Sequence, residues 1–152
     1  MTFDLQSVLP QLLPGAIAWA EQQSQKAAQE GTGLNESEQA MARGVGVAHP
    51  EQISTITVNQ LPLPDDPLLK QAALQTGLLG PGMVGLTLGH SIFIVRGFLN
   101  LRLLSHECRH VHQYESYGSI AAFLPIYLQQ IATVGYDEAP LERDARAHEL
   151  NG

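Results

Sequence analysis

The segment on which the fold prediction depends spans residues 101–117 and reads LRLLSHECRHVHQYESY. It contains neither glycine nor proline and Gly118 follows it, so the pattern predicts a single helix over the whole stretch. The apolar side chains fall on one side of such a helix: Leu101, Leu104, Cys108 and Val111. His106 and His110 lie one turn apart, roughly opposite this apolar side. The helix is therefore expected to have a buried back and to present the two histidines outward.

The segment His106-Glu107-Cys108-Arg109-His110 has the HExxH spacing of a zinc site. Two imidazoles on one helical face can direct nitrogen atoms at the same ion, and Glu107 projects to the side where a coordinated water would sit. Zinc in catalytic sites takes three protein ligands and lowers the pKa of a coordinated water to roughly 7. His106 and His110 are thus predicted zinc ligands, and Glu107 is the predicted general base.

A third protein ligand has to come from another part of the chain, and residues 136–145 offer several carboxylates on a predicted helix. Glu142 is the leading candidate, because it follows the helix start at Pro140 and faces inward if Leu141 and Ala145 pack on the core. Periodicity over so few residues leaves rivals open, and these are Glu138, Asp144, His148 and Glu149.

Two segments together carry a resemblance to a known family: residues 104–114, LSHECRHVHQY, and residues 139–145, APLERDA. They resemble the uncharacterised bacterial zincin-like proteins of the gluzincin type, over the part of the chain from residue 85 to the end. The resemblance implies a zinc-dependent metallopeptidase with a glutamate, Glu142, as third ligand beside His106 and His110, and with Glu107 as general base. It leaves the oxyanion-stabilising group open among Tyr114, Tyr117, Tyr136 and His112.

The remaining sequence predicts a mostly helical α+β domain with a small sheet or hairpin before the HExxH helix. Helices are expected at 5–29, from Asn35 to about Arg43, between Asp66 and Gly77, from Ser119 to about Val134, and at 140–150. A strand is expected at 53–58, a turn at 80–82, and a hairpin from 84–88 and 91–96. Pro10 and Pro14 should disturb the start of the first helix, and Pro125 should bend or delay the later one. A peptide could add as an extra strand along residues 92–95.

The chain of 152 residues is long enough for one domain, divided here into an N-terminal helical segment, 1–45, and a minimal metallopeptidase-like core, 50–152. A formal charge of −7 without a basic cluster argues against nucleic acid as a partner. The single cysteine excludes an internal disulfide and suits the cytoplasm. The apolar stretch 12–20 is too short to span a membrane.

Several other side chains have an ordinary structural interpretation. Cys108, Trp19 and Tyr127 are expected in the core, and His49 and His90 in exposed loops without partners. Gln113 could support the histidines, His112 is expected at the surface or beside the site, and Arg109 should pair with a carboxylate such as Glu115 or Asp144.

The motif predicts a zinc peptidase acting on a peptide or protein, with two alternatives. One is a zinc-stabilised scaffold or interaction module without catalysis. The other is a vestigial site, in which ordinary hydrogen bonds satisfy the histidines and no metal binds.

Overall fold

The computed structural model describes residues 4–79 and 82–151, which form an α+β structure with six helices and a four-stranded sheet. The helices are α1 (Leu5–Glu30), α2 (Glu36–Gly44), α3 (Pro67–Gln75), α4 (Leu101–Tyr117), α5 (Ile120–Val134) and α6 (Pro140–Ala147). The strands are β1 (Thr32–Gly33), β2 (Ser54–Val58), β3 (Gly85–Leu88) and β4 (Ser91–Val95). The predicted fold class is confirmed. The turn predicted at 80–82 has two of its residues, Gly80 and Pro81, outside the described part of the chain.

Local capping explains where the helices begin and end. Asn35 and Glu38 form the expected capping box at the start of α2, with the Glu38 N–H donating to Asn35 Oδ1 at 2.8 Å. Asn100 caps α4 by accepting from the Leu103 N–H at 2.8 Å, and Gly118 ends it with a φ of 98°. That left-handed conformation favours glycine. The predicted span of the HExxH helix is therefore confirmed at both ends.

The prolines neither interrupt α1 nor delay the start of α5. Helix α1 runs without interruption from Leu5 through Pro10 and Pro14, and α5 starts at Ile120 despite Pro125. Leu5, Leu9 and Leu12 are buried on the early turns of α1, so packing maintains the helix where hydrogen bonds are lost.

The sheet has the order β1-β2-β4-β3, which corrects one prediction about substrate binding. The hairpin of β3 and β4 is present and antiparallel, while β2 pairs with β4 in parallel from Ser54↔Ser91 to Val58↔Val95. Residues 92–95 therefore lie in an interior strand whose two hydrogen-bonding sides are both occupied, and no peptide can add there. The edge strand beside β4 is β3. The short strand β1 was not predicted.

Helix α4 is buried on both sides. Its back packs as predicted, since Leu104, Cys108 and Val111 join one apolar cluster with sheet residues such as Ile92. Leu101, also expected on that back, is 37% exposed. The prediction that the histidines face outward is wrong: His106 and His110 are only 8% and 6% exposed. Helices α5 and α6 both contact α4 and cover this side.

Glu115 connects α4 to two loops. Its carboxylate accepts hydrogen bonds from the backbone N–H groups of Ala48 and His49 at 2.7 and 3.0 Å, and it lies 2.9 Å from Nε2 of His90. His90 therefore has a partner, contrary to prediction. The side chain of His49 is 59% exposed, as predicted, but its Nδ1 lies 3.4 Å from Oε1 of Glu51, so it also has a partner.

Within the described residues, no helix combines the length and the apolar character that a membrane crossing requires.

Candidate metal centre

Helices α4 and α6 bring together the three residues predicted to bind zinc. Nε2 of His106 lies 3.2 Å from Oε1 of Glu142, and Nε2 of His110 lies 3.0 Å from Oε2 of the same carboxylate. One ligand atom from each residue fits within 4.8 Å of the other two. Ligands at about 2.0–2.2 Å from a tetrahedral zinc ion lie about 3.4 Å from one another. The three side chains therefore fit the ligand set of a mononuclear zinc site.

In both histidines, the ring nitrogen that faces away from Glu142, Nδ1, is hydrogen-bonded to an oxygen atom. Nδ1 of His106 lies 2.7 Å from Oε2 of Glu149, and Nδ1 of His110 lies 2.8 Å from Oε1 of Gln113. The Gln113 amide nitrogen donates to the Leu141 carbonyl at 2.9 Å, which fixes its oxygen toward the ring. Because these oxygens can only accept, each Nδ1 carries the proton. In the neutral rings, the lone pair is then on Nε2, which faces Glu142, as in histidines that bind metals.

Glu142 carries its charge in a buried position. Its side chain is 2% exposed and also accepts a hydrogen bond from the Tyr127 hydroxyl at 2.7 Å. Burial alone would raise the pKa of Glu142, but hydrogen bonds from His106 and His110 hold it well below its ordinary value. For His110 the effect of burial is the opposite, because burial alone would lower its pKa. The Glu142 carboxylate outweighs burial and raises the pKa of His110 to about 9. Without an ion, the site is thus held together by a buried pair of opposite charges.

Strand β3 positions the carboxylate of Glu107. The Thr87 hydroxyl donates to Glu107 Oε1 at 2.7 Å. Gly85 lies so close that a Cβ on it would come within 2.8 Å of Glu107 Oε2. A side chain at position 85 would displace that carboxylate, so glycine there leaves room for Glu107.

A cavity of about 130 Å³ reaches the centre from the side of α1 and α3. Glu107, His110 and Glu142 all line it, and most of its other lining residues are apolar. The predicted base and two of the predicted ligands therefore line the same cavity.

The contacts of the candidate third ligands distinguish Glu142 from its rivals. Glu138 is exposed, and Asp144 binds the Arg109 guanidinium at 2.8 and 3.2 Å. His148 lies 2.8 Å from the carbonyl of Asp144, and Glu149 contacts the outer nitrogen of His106. Of the five candidates, Glu142 alone contacts both Nε2 atoms.

Tyr127 belongs to the site although the sequence placed it in the core. Its ring does pack against Phe123, with centroids 5.5 Å apart, but its hydroxyl binds Glu142. A buried tyrosine hydroxyl needs a partner, and that requirement is the signal that could have suggested the contact.

Cys108 is a core residue as predicted, and burial, with the charges of Glu107 and Glu38, raises its pKa to about 12.

The four candidates for oxyanion stabilisation differ in their access to the cavity. Tyr136 and Tyr114 line it, but the Tyr114 hydroxyl donates to the Thr87 carbonyl at 3.1 Å. Tyr117 is 39% exposed, and the His112 ring lies 2.9 Å from the Gly46 carbonyl. Burial and the neighbouring Glu142 carboxylate, to which it donates a hydrogen bond, raise the pKa of Tyr136, so this tyrosine lies beside the proposed third ligand.

Comparison of the chain with protein-family models, with curated proteins and with solved structures found no match. The resemblance to zincin-like proteins therefore stays a prediction, and function has to be argued from the geometry of the site.

The affinity of the site for zinc should rise with pH. His110 has a pKa raised to about 9, so at neutral pH its ring holds a proton on Nε2 that an ion must displace. Affinity should increase at least about tenfold per pH unit from about pH 7 and level off above pH 9, because an ion displaces one proton from His110 and Glu142 also raises the pKa of His106. Competition with a chromophoric chelator over this range measures it. An affinity independent of pH would contradict the role of His110.

Proposed function

We propose that this chain is a zinc-dependent peptidase, with His106, His110 and Glu142 as metal ligands and Glu107 as general base. The observation that supports it most strongly is the shared Glu142 carboxylate, which lies within 3.2 Å of both Nε2 atoms while Glu107 lines the same cavity. An arrangement of two histidines and one glutamate occurs at the zinc of known peptidases.

The residues divide the chemistry between them. A bound zinc ion would polarise the substrate carbonyl and lower the pKa of a water at the site. Glu107 accepts a proton from the attacking water while the water oxygen bonds to the carbonyl carbon. The carbon–nitrogen bond then breaks, and the same carboxylate returns the proton to the leaving nitrogen. One water is consumed, and the products are a carboxylic acid and an amine.

The proposed substrate is a peptide or protein segment in extended form. Strand β3 is one of the two edge strands of the sheet in the described part of the chain, and its residues Gly85 and Thr87 lie beside the Glu107 carboxylate. A peptide that added to this edge would pass the proposed base, and its backbone would supply the binding hydrogen bonds. Strand β3 thus takes the substrate-binding role predicted from the sequence for residues 92–95.

Tyr136 is the residue we expect to stabilise the developing oxyanion. Tyr136→Phe should lower kcat by about 100-fold, because one donor to the transition state is lost, while KM changes little. Steady-state kinetics on the best peptide found in a library provides the measurement. A variant with unchanged kcat would exclude Tyr136 from this role.

The proposal is tested by removing and restoring the metal. Hydrolysis of a peptide library should be lost on dialysis against a chelator and should return with about one equivalent of zinc. Hydrolysis that persists in the metal-free protein would refute the proposal.

A zinc-stabilised scaffold is the second candidate, and the burial of the site favours it. The three predicted ligands are less than 10% exposed and join α6, a helix of eight residues, to α4. A metal there would fix the last helix in place, as structural metals do. A large loss of thermal stability on chelation, without hydrolysis at any pH, would support the scaffold over the peptidase.

A further inference from the structure

The lining of the cavity beside the metal centre extends along much of α1. Its lining includes residues of α1 from Leu5 to Ala20, and these positions lie about 22 Å apart along a helix axis. Residues of α3, β3 and α5 line it as well. Its volume of about 130 Å³ is close to that of an engineered cavity that holds benzene, at about 150 Å³. So small a volume, extended along four turns of α1, suits an unbranched chain better than a bulky group.

The charged side chains that line this cavity are Glu107, His110 and Glu142, all at or beside the metal centre. The surfaces of α1 facing the cavity contribute leucine, alanine and tryptophan side chains. Along the wall, the Thr76 hydroxyl donates to the Ala72 carbonyl at 2.7 Å. A polar ligand along the wall would therefore lose hydrogen bonds to water without replacement, whereas an aliphatic ligand gains from burial.

Two apolar clusters of the core contribute residues to the cavity lining. One contains Leu9 and Ala72, and the other contains Ala20 and Leu124. All four side chains line the cavity. An aliphatic chain placed between them would contact apolar atoms on both sides, as a core side chain does.

We propose that the substrate carries an unbranched aliphatic chain, which lies along α1 with its polar end at the metal centre. This inference rests on the proposed function, because it places the hydrolysed amide at the end of that chain. The ligand class is a fatty acyl or alkyl group, from an acylated peptide or from a lipid.

Alkyl hydroxamates test the proposal by binding, without a need for turnover. Isothermal titration of the zinc-loaded protein with acetohydroxamate and its six- and eight-carbon homologues should show Kd falling about fourfold for each added methylene. The metal-binding group is the same throughout the series, so the gain reports the cavity. A Kd that does not improve with chain length would overturn the proposal while leaving the metal centre intact.

A matched pair of variants tests where the aliphatic chain of the ligand binds. Ala16 lines the cavity, whereas Ala18, on the same helix, is exposed and does not. Ala16→Leu should reduce the gain from acetohydroxamate to the eight-carbon homologue at least tenfold and leave acetohydroxamate binding unchanged, while Ala18→Leu should behave as wild type. Ala73→Leu fills the cavity from α3 and serves if the first variant does not fold. Equal chain-length gains in all these proteins would contradict the proposal.

Metal-free protein separates this inference from the proposed function. Octanol should bind it more tightly than butanol by on the order of 100-fold, and Ala16→Leu should remove that difference. If octanol binds but zinc does not, the proposed peptidase fails and the aliphatic site stands. Competition with octanol by an N-octanoyl peptide or by dioctanoyl phosphatidylcholine identifies which source of the aliphatic chain the cavity accepts. If neither compound competes, the proposal is contradicted.

Discussion

Replacing Glu142 with alanine should abolish zinc binding and should also destabilise the metal-free protein by about 3–5 kcal/mol. The carboxylate is 2% exposed and is the shared partner of His106, His110 and the Tyr127 hydroxyl. Its removal leaves buried polar groups without their partner. For a chain of this length, a loss of about 3 kcal/mol lowers Tm by about 10 °C. Elemental analysis and thermal unfolding in the presence of a chelator measure the two effects separately.

Glu138→Ala is the matched control for this variant. Glu138 lies just before α6 and is exposed, so its replacement should change neither zinc content nor Tm. Zinc retained at one equivalent by Glu142→Ala would show that another residue is the third ligand, with Glu149 the nearest alternative through its contact with His106.

Replacing Glu107 with glutamine should lower kcat by on the order of 1,000-fold without loss of zinc. The glutamine side chain keeps an oxygen that can accept from the Thr87 hydroxyl, so the local structure should persist. What it loses is the capacity to accept a proton from water. Peptide hydrolysis under saturating substrate, together with zinc content, gives the measurement.

Glu115→Gln provides the same replacement two turns further along α4, away from the cavity lining. It should retain full activity at temperatures well below its unfolding midpoint. Wild-type activity in Glu107→Gln would exclude Glu107 as the base, and equal losses in both variants would point to a general defect of α4.

The local features of the fold were predictable because they depend on short-range physics. The capping box of Asn35 and the glycine after α4 act within one or two turns, and the sequence therefore predicts those boundaries closely. The parallel pairing of β2 with β4 joins segments separated by α3, and no local pattern specifies it. The sequence for that reason placed residues 92–95 at an edge that β3 occupies.

The candidate site could be predicted in part for the same reason. Helical spacing places His106 and His110 together, and the choice of Glu142 came from a pattern in which several rivals remained. The contacts that support the site were harder to predict from the sequence. Tyr127 and Glu149 reach the site only because α5 and the segment after α6 pack on α4. The outward orientation predicted for the histidines failed because periodicity describes one helix and not what covers it.

The central claim is that one zinc ion is bound between two imidazoles of α4 and the Glu142 carboxylate. X-ray absorption spectroscopy of the purified protein with one equivalent of zinc tests it most directly. We expect two imidazole nitrogens at about 2.0–2.1 Å and carboxylate oxygen at about 2.0–2.2 Å, with one imidazole lost in His110→Ala. A zinc spectrum without imidazole scattering, or one unchanged in His110→Ala, would contradict the account.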